Sequence, residues 1–150
     1  QIVLGGWSSA NYASASCPGL IRCEGGMPRA EYVADAFNPL RSIALDERGQ
    51  VVRSDSLAAL SMAHRLFALL TAGYLAWLVR RLRSVATLKG TAIALSLFSI
   101  GQVAVGMSTV WFHMPLTLLT LHNCMAAGLL LSCINLLHRL VPPAVSRPPG

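Results

Sequence analysis

Three long stretches of this chain are almost continuously apolar, and its polar residues collect ahead of and between them. The first is LAALSMAHRLFALLTAGYLAWLV at 57–79, closed by Arg80, Arg81 and Arg83. The second is GTAIALSLFSIGQVAVGMSTVWF at 90–112, with no charge in it, and the third is MPLTLLTLHNCMAAGLLLSCINLL at 114–137. Roughly 20 apolar residues carry a helix across the hydrocarbon core of a bilayer. Each stretch therefore predicts a transmembrane helix, and with flanking turns the elements run over 57–82, 87–112 and 114–139. Asp55 or Ser56 can cap the first. Pro115 sits near the start of the third, where its missing N–H is tolerated.

Residues 1–7, QIVLGGW, read as the last turns of a preceding apolar helix with Trp7 at the interface. With no Met at its start and no signal peptide in view, the chain reads as a fragment lacking its N-terminal part. Residues 8–56 form a long polar loop punctuated by Asn11, Pro18, Gly19, Gly25, Gly26, Pro28, Asn38, Pro39 and Gly49. Only 29–37 shows helical spacing there, through Tyr32, Val33, Ala36 and Phe37. The loop is expected to cap the bundle on the membrane surface, and the Pro-rich end, 140–150, to be a disordered tail. The fold class is all-α: an integral membrane bundle of three transmembrane helices plus the end of a fourth.

Composition agrees. Mean hydropathy is +0.56, and charged residues make up 12%, where a soluble domain carries roughly twice that. All six acids (Glu24, Glu31, Asp35, Asp46, Glu47, Asp55) precede residue 56, and from Leu57 onward there are seven basic residues and no acid. The basic residues stand at the ends of apolar runs, where topology signals belong, rather than among aromatics on a nucleic-acid-binding surface. Arg80, Arg81, Arg83 and Lys89 follow the first span, and Arg139 and Arg147 follow the third. Positive-inside logic puts those ends in the cytoplasm and the long loop outside, in the periplasm of a bacterium.

Chemistry concentrates in the spans. An ionisable residue inside a membrane segment is costly and marks a candidate site. His64 lies about seven residues inside the outer end of its span and His122 about eight inside its own; at ~1.5 Å per residue both sit roughly 10–12 Å deep. Two imidazoles at matched depth on neighbouring helices suit the axial ligation of one heme iron. Ala68 and Ala72 below His64, and Ala126 one turn after His122, leave room for a flat macrocycle. The plainer alternative is that each histidine hydrogen-bonds to a neighbouring helix. Zinc lacks a Cys, Asp or Glu at that level. Arg65 is either a counter-charge for a heme propionate or a snorkelling side chain.

Cys17 and Cys23, in CPGLIRC, read as a disulfide in an oxidising compartment, as a loop staple or as a redox-active pair. Cys124 and Cys133 read as inert buried thiols, and His113 and His138 as interfacial residues without a ligand role. A short internal repeat relates Gln1-Ile-Val-Leu-Gly5 to Gln102-Val-Ala-Val-Gly106, with chance similarity as the bland account. Gly101 and Gly106 suit close helix packing in lipid.

The segments QIVLGGWSSANYASASCPGLIRC, MAHRLFALLTAGYLAWLVRRLR and GQVAVGMSTVWFHMPLTLLTLHNCMAAGLLL resemble the C-terminal half of the heme A synthase (CtaA) family. The resemblance is most specific in LGGWSSANYASASC with the second Cys, in His64-Arg65, and in Leu121-His122-Asn123. It implies half of an eight-helix protein, made of the end of helix five, the outer loop and helices six to eight. It implies that His64 and His122 are the axial ligands of heme b and that Cys17 and Cys23 are the family's outer-loop pair. It further implies oxidation of a methyl group of heme O to the formyl group of heme A for terminal oxidases. The implied partners are heme O, membrane lipid, a heme O synthase and an electron donor, with a homo-oligomer also allowed. The substrate-heme histidines and the catalytic carboxylate of the family belong to its other half, so this piece alone should not complete the reaction. The sequence departs from the family at 26–28, which lacks the expected tryptophans, and at Ser61, where many relatives carry another His. A b-type electron-transfer subunit, or a non-redox structural or transport fragment, are the competing readings.

Overall fold

The computed structural model describes residues 1–21, 23 and 28–141. The expected tail at 142–150, with Arg147, and the loop residues Glu24, Gly25 and Gly26 lie outside the described residues. The chain forms α1 (Ile2–Ala10), a 3-10 turn (Ala13–Ser16), α2 (Glu31–Ala36), α3 (Asp55–Leu82), α4 (Lys89–Trp111) and α5 (Leu116–Leu140). Among the described residues there is no strand, only one antiparallel bridge between Leu45 and Val51. α3, α4 with its preceding 3-10 turn, and α5 are each long and apolar enough to span a membrane. The protein is a helical membrane bundle.

Each boundary has a local cause. The hydroxyl of Ser54 accepts from the Leu57 N–H at 3.2 Å, so Ser54 caps α3, one residue ahead of Asp55. Asp55 instead occupies the first turn, and Arg80 and Arg81 the last, as the helix dipole favours. α1 runs past Trp7 to Ala10, and the Trp7 indole donates to Ala36 O at 3.1 Å. α4 and α5 meet through His113 and Met114, both at positive φ (57° and 63°), followed by Pro115 as the N-cap of α5.

Hydroxyls inside the spans bond to their own helix. Thr71, Ser96, Ser108, Thr120 and Ser132 each donate to the carbonyl four residues back. In hydrocarbon an unsatisfied polar group costs several kcal/mol, so this local bonding lets Thr120 stand exposed, Thr71 and Ser108 half-buried and Ser132 buried, while Ser99 Oγ is buried without a partner among the described residues. Large apolar side chains such as Leu69, Leu97 and Leu131 are likewise turned outward.

α4 is the helix against which both α3 and α5 pack, while α1 packs on α3. At the end bearing Arg80–Lys89, the basic end, Val79, Leu82, Leu88, Ala92, Leu95 and Leu136 form a core cluster. Asn135 donates to Thr91 there at 3.2 Å, and Arg139 to Asn135 at 3.2 Å. Higher along the α4–α5 seam, glycines set the spacing. A Cβ on Gly101 would stand 3.1 Å from Met125 Sδ, and one on Gly128 would stand 2.3 Å from Phe98 Cε1.

At the opposite, loop end, Ala13, Ala36, Leu57, Ala59 and Leu60 form a second cluster with Leu4 and Trp7 against it. Cys17 and Cys23 form a disulfide packed on Ala58 and Met62. Arg65 ties this loop to α3. Its Nη2 donates to Cys17 O at 2.7 Å, and its Nη1 donates to Gly19 O and to Leu20 O, the latter at 3.1 Å.

Two outcomes follow from this packing. Gly128→Ala should lower stability by about 1–3 kcal/mol through overpacking against Phe98, read by thermal unfolding in detergent. Adding Phe98→Ala should recover part of the loss. Arg65→Ala removes charge-assisted bonds worth about 1.5–3 kcal/mol each. Amide exchange across 13–20 should then accelerate at least tenfold, while α4 and α5 exchange as before.

Candidate functional site

His64 is the tenth residue of α3 and His122 the seventh of α5, so both lie in the loop-proximal half of their helices. The sequence spans had placed them at seven and eight. The difference arises because α3 starts earlier, at its Ser54 cap, and α5 starts later, after the His113–Met114 turn.

Each ring lies against a glycine of a neighbouring helix. A Cβ on Gly5 of α1 would stand 3.0 Å from His64 Cε1, and one on Gly106 of α4 would stand 2.9 Å from His122 Cε1. Only the absence of a side chain lets an imidazole approach a helix backbone so closely. Gln1 Nε2 stands 3.2 Å from His64 Nδ1 and donates to His64 O at 3.0 Å. Gln102 Nε2 stands 3.0 Å from His122 Nε2. One nitrogen of each ring remains without a hydrogen-bond partner among the described residues. These are Nε2 of His64 and Nδ1 of His122, the latter buried.

That donor set bears on what could bind. A neutral imidazole ligates metals through either nitrogen. Among the described residues no group of three His, Cys, Asp or Glu is gathered to hold a metal ion. A two-histidine set suits a metal that brings its own equatorial ligands, and a porphyrin iron is such a metal. The residues present therefore fit a heme. Ala68, Ala72 and Ala126 keep the adjoining helix surfaces shallow.

The remaining sequence candidates fall elsewhere. Arg65 is adjacent to His64, but its Nη1 and Nη2 are occupied by the loop carbonyls of Cys17, Gly19 and Leu20. The Cys17–Cys23 disulfide lies beside it, with Cys17 Sγ 3.6 Å from Arg65 Nη1 and 3.8 Å from Met62 Sδ. Cys124 is exposed rather than buried, and Cys133 packs on the cluster at the basic end. Burial fails at Cys124 because that position of α5 faces away from α4. His113 is exposed in the turn, and His138 is exposed near the end of α5. Sequence reading did not assign Gln1, Gly5, Gln102 or Gly106 to the histidines, although the internal repeat had already paired them.

Comparison with known proteins gives the family. The family model COX15-CtaA, described as cytochrome oxidase assembly protein, matches residues 1–134. The heme A synthase of Shewanella oneidensis is 37% identical over 136 residues, covering 91% of this chain and 41% of its own length. The chain thus spans well under half of that relative. No solved structure matches it. A match over nearly the whole chain, joined to a membrane bundle of the expected kind, places this protein in the COX15-CtaA family of cytochrome oxidase assembly proteins.

Proposed function

We propose that this chain is part of a heme A synthase and that His64 and His122 are the two axial ligands of one heme b within it. The observation that carries the proposal is the twin setting of the imidazoles. Each is pressed on a glycine of a neighbouring helix, and each keeps one ring nitrogen free. Bound between them, the heme would supply a one-electron relay through its iron. The protein's own part is to hold two neutral imidazoles at one level and keep water away from them. Arg65 anchors the disulfide-closed loop over α3 beside His64. A b-type electron-transfer subunit would use the same two histidines, and the family match favours the synthase.

The reaction proposed for the whole enzyme is the oxidation of a methyl group of heme O to the formyl group of heme A, for terminal oxidase assembly. Substrate heme, its histidines, the catalytic acid and the electron donor are assigned to residues beyond this chain, as is any contact with a heme O synthase or a second copy. We place the enzyme in the plasma membrane, the inner membrane of a Gram-negative cell. Arg80, Arg81, Arg83, Lys89 and Arg139 crowd one end of the bundle, which we place in the cytoplasm. The Cys17–Cys23 loop then lies outside, where disulfides persist.

Purified protein should give a low-spin b-type spectrum. His64→Ala and His122→Ala should each abolish it, while His113→Ala and His138→Ala should leave it unchanged. A spectrum indifferent to both ligand substitutions would reject the assignment.

A further inference from the structure

The two Gln-x-x-x-Gly segments, 1–5 and 102–106, occupy equivalent places in two helical hairpins. α1 leads through the loop into α3, and α4 leads through a tight turn into α5. Gly5 to Ala10 and Gly106 to Trp111 are the same distance, five residues, from the ends of their helices. Both glycines receive the same atom of the histidine opposite, Cε1, at 3.0 and 2.9 Å for an added Cβ. A residue four before the glycine stands on the same helix face one turn away. From there each glutamine reaches a ring nitrogen, at 3.2 Å from Gln1 and 3.0 Å from Gln102.

Packing alone does not account for the amide of Gln102, which lies inside a span; Gln1 is exposed at the start of α1. Burying an amide in an apolar span costs free energy unless it is bonded. Gln102 Oε1 is buried without a partner, with its Nε2 turned to the His122 ring. A half-turn of that amide puts Oε1 on the ring, where it accepts from the Nε2–H, and turns the NH2 to the place where Oε1 had no partner; in either orientation the ring is the one partner the amide has among the described residues. The other ring nitrogen, Nδ1, is left with its lone pair.

We propose that Gln1 and Gln102 are positioning residues, one for each imidazole, and that Gln-x-x-x-Gly is a repeated seat orienting His64 and His122. Their service to a metal rests on the reading of the two histidines as heme ligands; the seat itself does not. The glycine provides the close approach, and the glutamine fixes the rotation and tautomer of the ring. A hydrogen bond to the non-ligating nitrogen is the usual means by which a protein orients a ligating histidine and raises its basicity.

The first test needs no heme. In the heme-free full-length protein in detergent, modification of each histidine by diethyl pyrocarbonate is followed by mass spectrometry, with exposed His113 and His138 as references. Gln102→Leu should raise the rate at His122 about tenfold, the worth of one hydrogen bond, and leave His64 unchanged. Gln1→Leu should do the reverse, and Gln102→Glu, which keeps reach and acceptor, should preserve protection. Unchanged rates, or equal rises at both histidines, would overturn the seat.

The second test uses the heme-loaded protein. Gln102→Leu should keep the pigment but shift its low-spin electron paramagnetic resonance signal. It should also change the reduced-to-oxidised ratio at fixed potential about tenfold, ~59 mV for one electron. Gln102→Glu, a stronger acceptor for the ring N–H, should move the midpoint in the opposite direction, downward, because it raises the basicity of the ligand. A signal and midpoint unmoved by Gln102→Leu would overturn the positioning role. A protein that binds no heme would instead overturn the ligand reading, and the modification rates would still decide the seat.

Discussion

The structure turns on the closeness with which two imidazoles approach two helix backbones. Gly5 and Gly106 permit that approach, and a methyl group at either position would stand within about van der Waals contact or less of a ring. The rest of the bundle keeps these contacts in register. Along the α4–α5 seam, Gly101 and Gly128 hold the same short spacing against Met125 and Phe98. Below them the cluster around Leu95 and Leu136 joins α3, α4 and α5. Above, the loop and α2 close over the start of α3.

Membrane burial makes polar satisfaction the second constraint. Serine and threonine hydroxyls answer it inside their own helices. Arg65 answers it by reaching out of its span to three loop carbonyls, so a cation three residues from the Met62–disulfide contact becomes a structural tie. Gln102 answers it in part, through its Nε2 on the His122 ring. Among the described residues of the spans the buried exceptions are Ser99 Oγ, Gln102 Oε1 and His122 Nδ1, and two of these three atoms lie at the histidine site.

Much of this was legible in the sequence because it is local. The spans follow from apolar runs, the basic ends from Arg80–Arg83, and the disulfide from CPGLIRC. The histidine pair stands out because ionisable residues are costly in lipid. Less legible were features set by distant parts of the chain. The partners of Arg65 are backbone carbonyls, which leave no mark in the sequence. Trp7 looked like an interfacial anchor, but its N–H is satisfied by Ala36, 29 residues away. The choice of Ser54 over Asp55 as cap depends on backbone angles that composition does not encode. The seats fall between these classes. The repeat of Gln1–Gly5 at 102–106 was visible, but its meaning needed the ring positions.

The account stands on one iron held by one imidazole from α3 and one from α5. Near-infrared magnetic circular dichroism of the oxidised, purified protein reads both axial ligands at once. Ligation by His64 and His122 gives the charge-transfer band of a low-spin ferric heme with two neutral imidazoles. A band of histidine paired with methionine, amine or hydroxide, or a high-spin spectrum with water as a ligand, would contradict it.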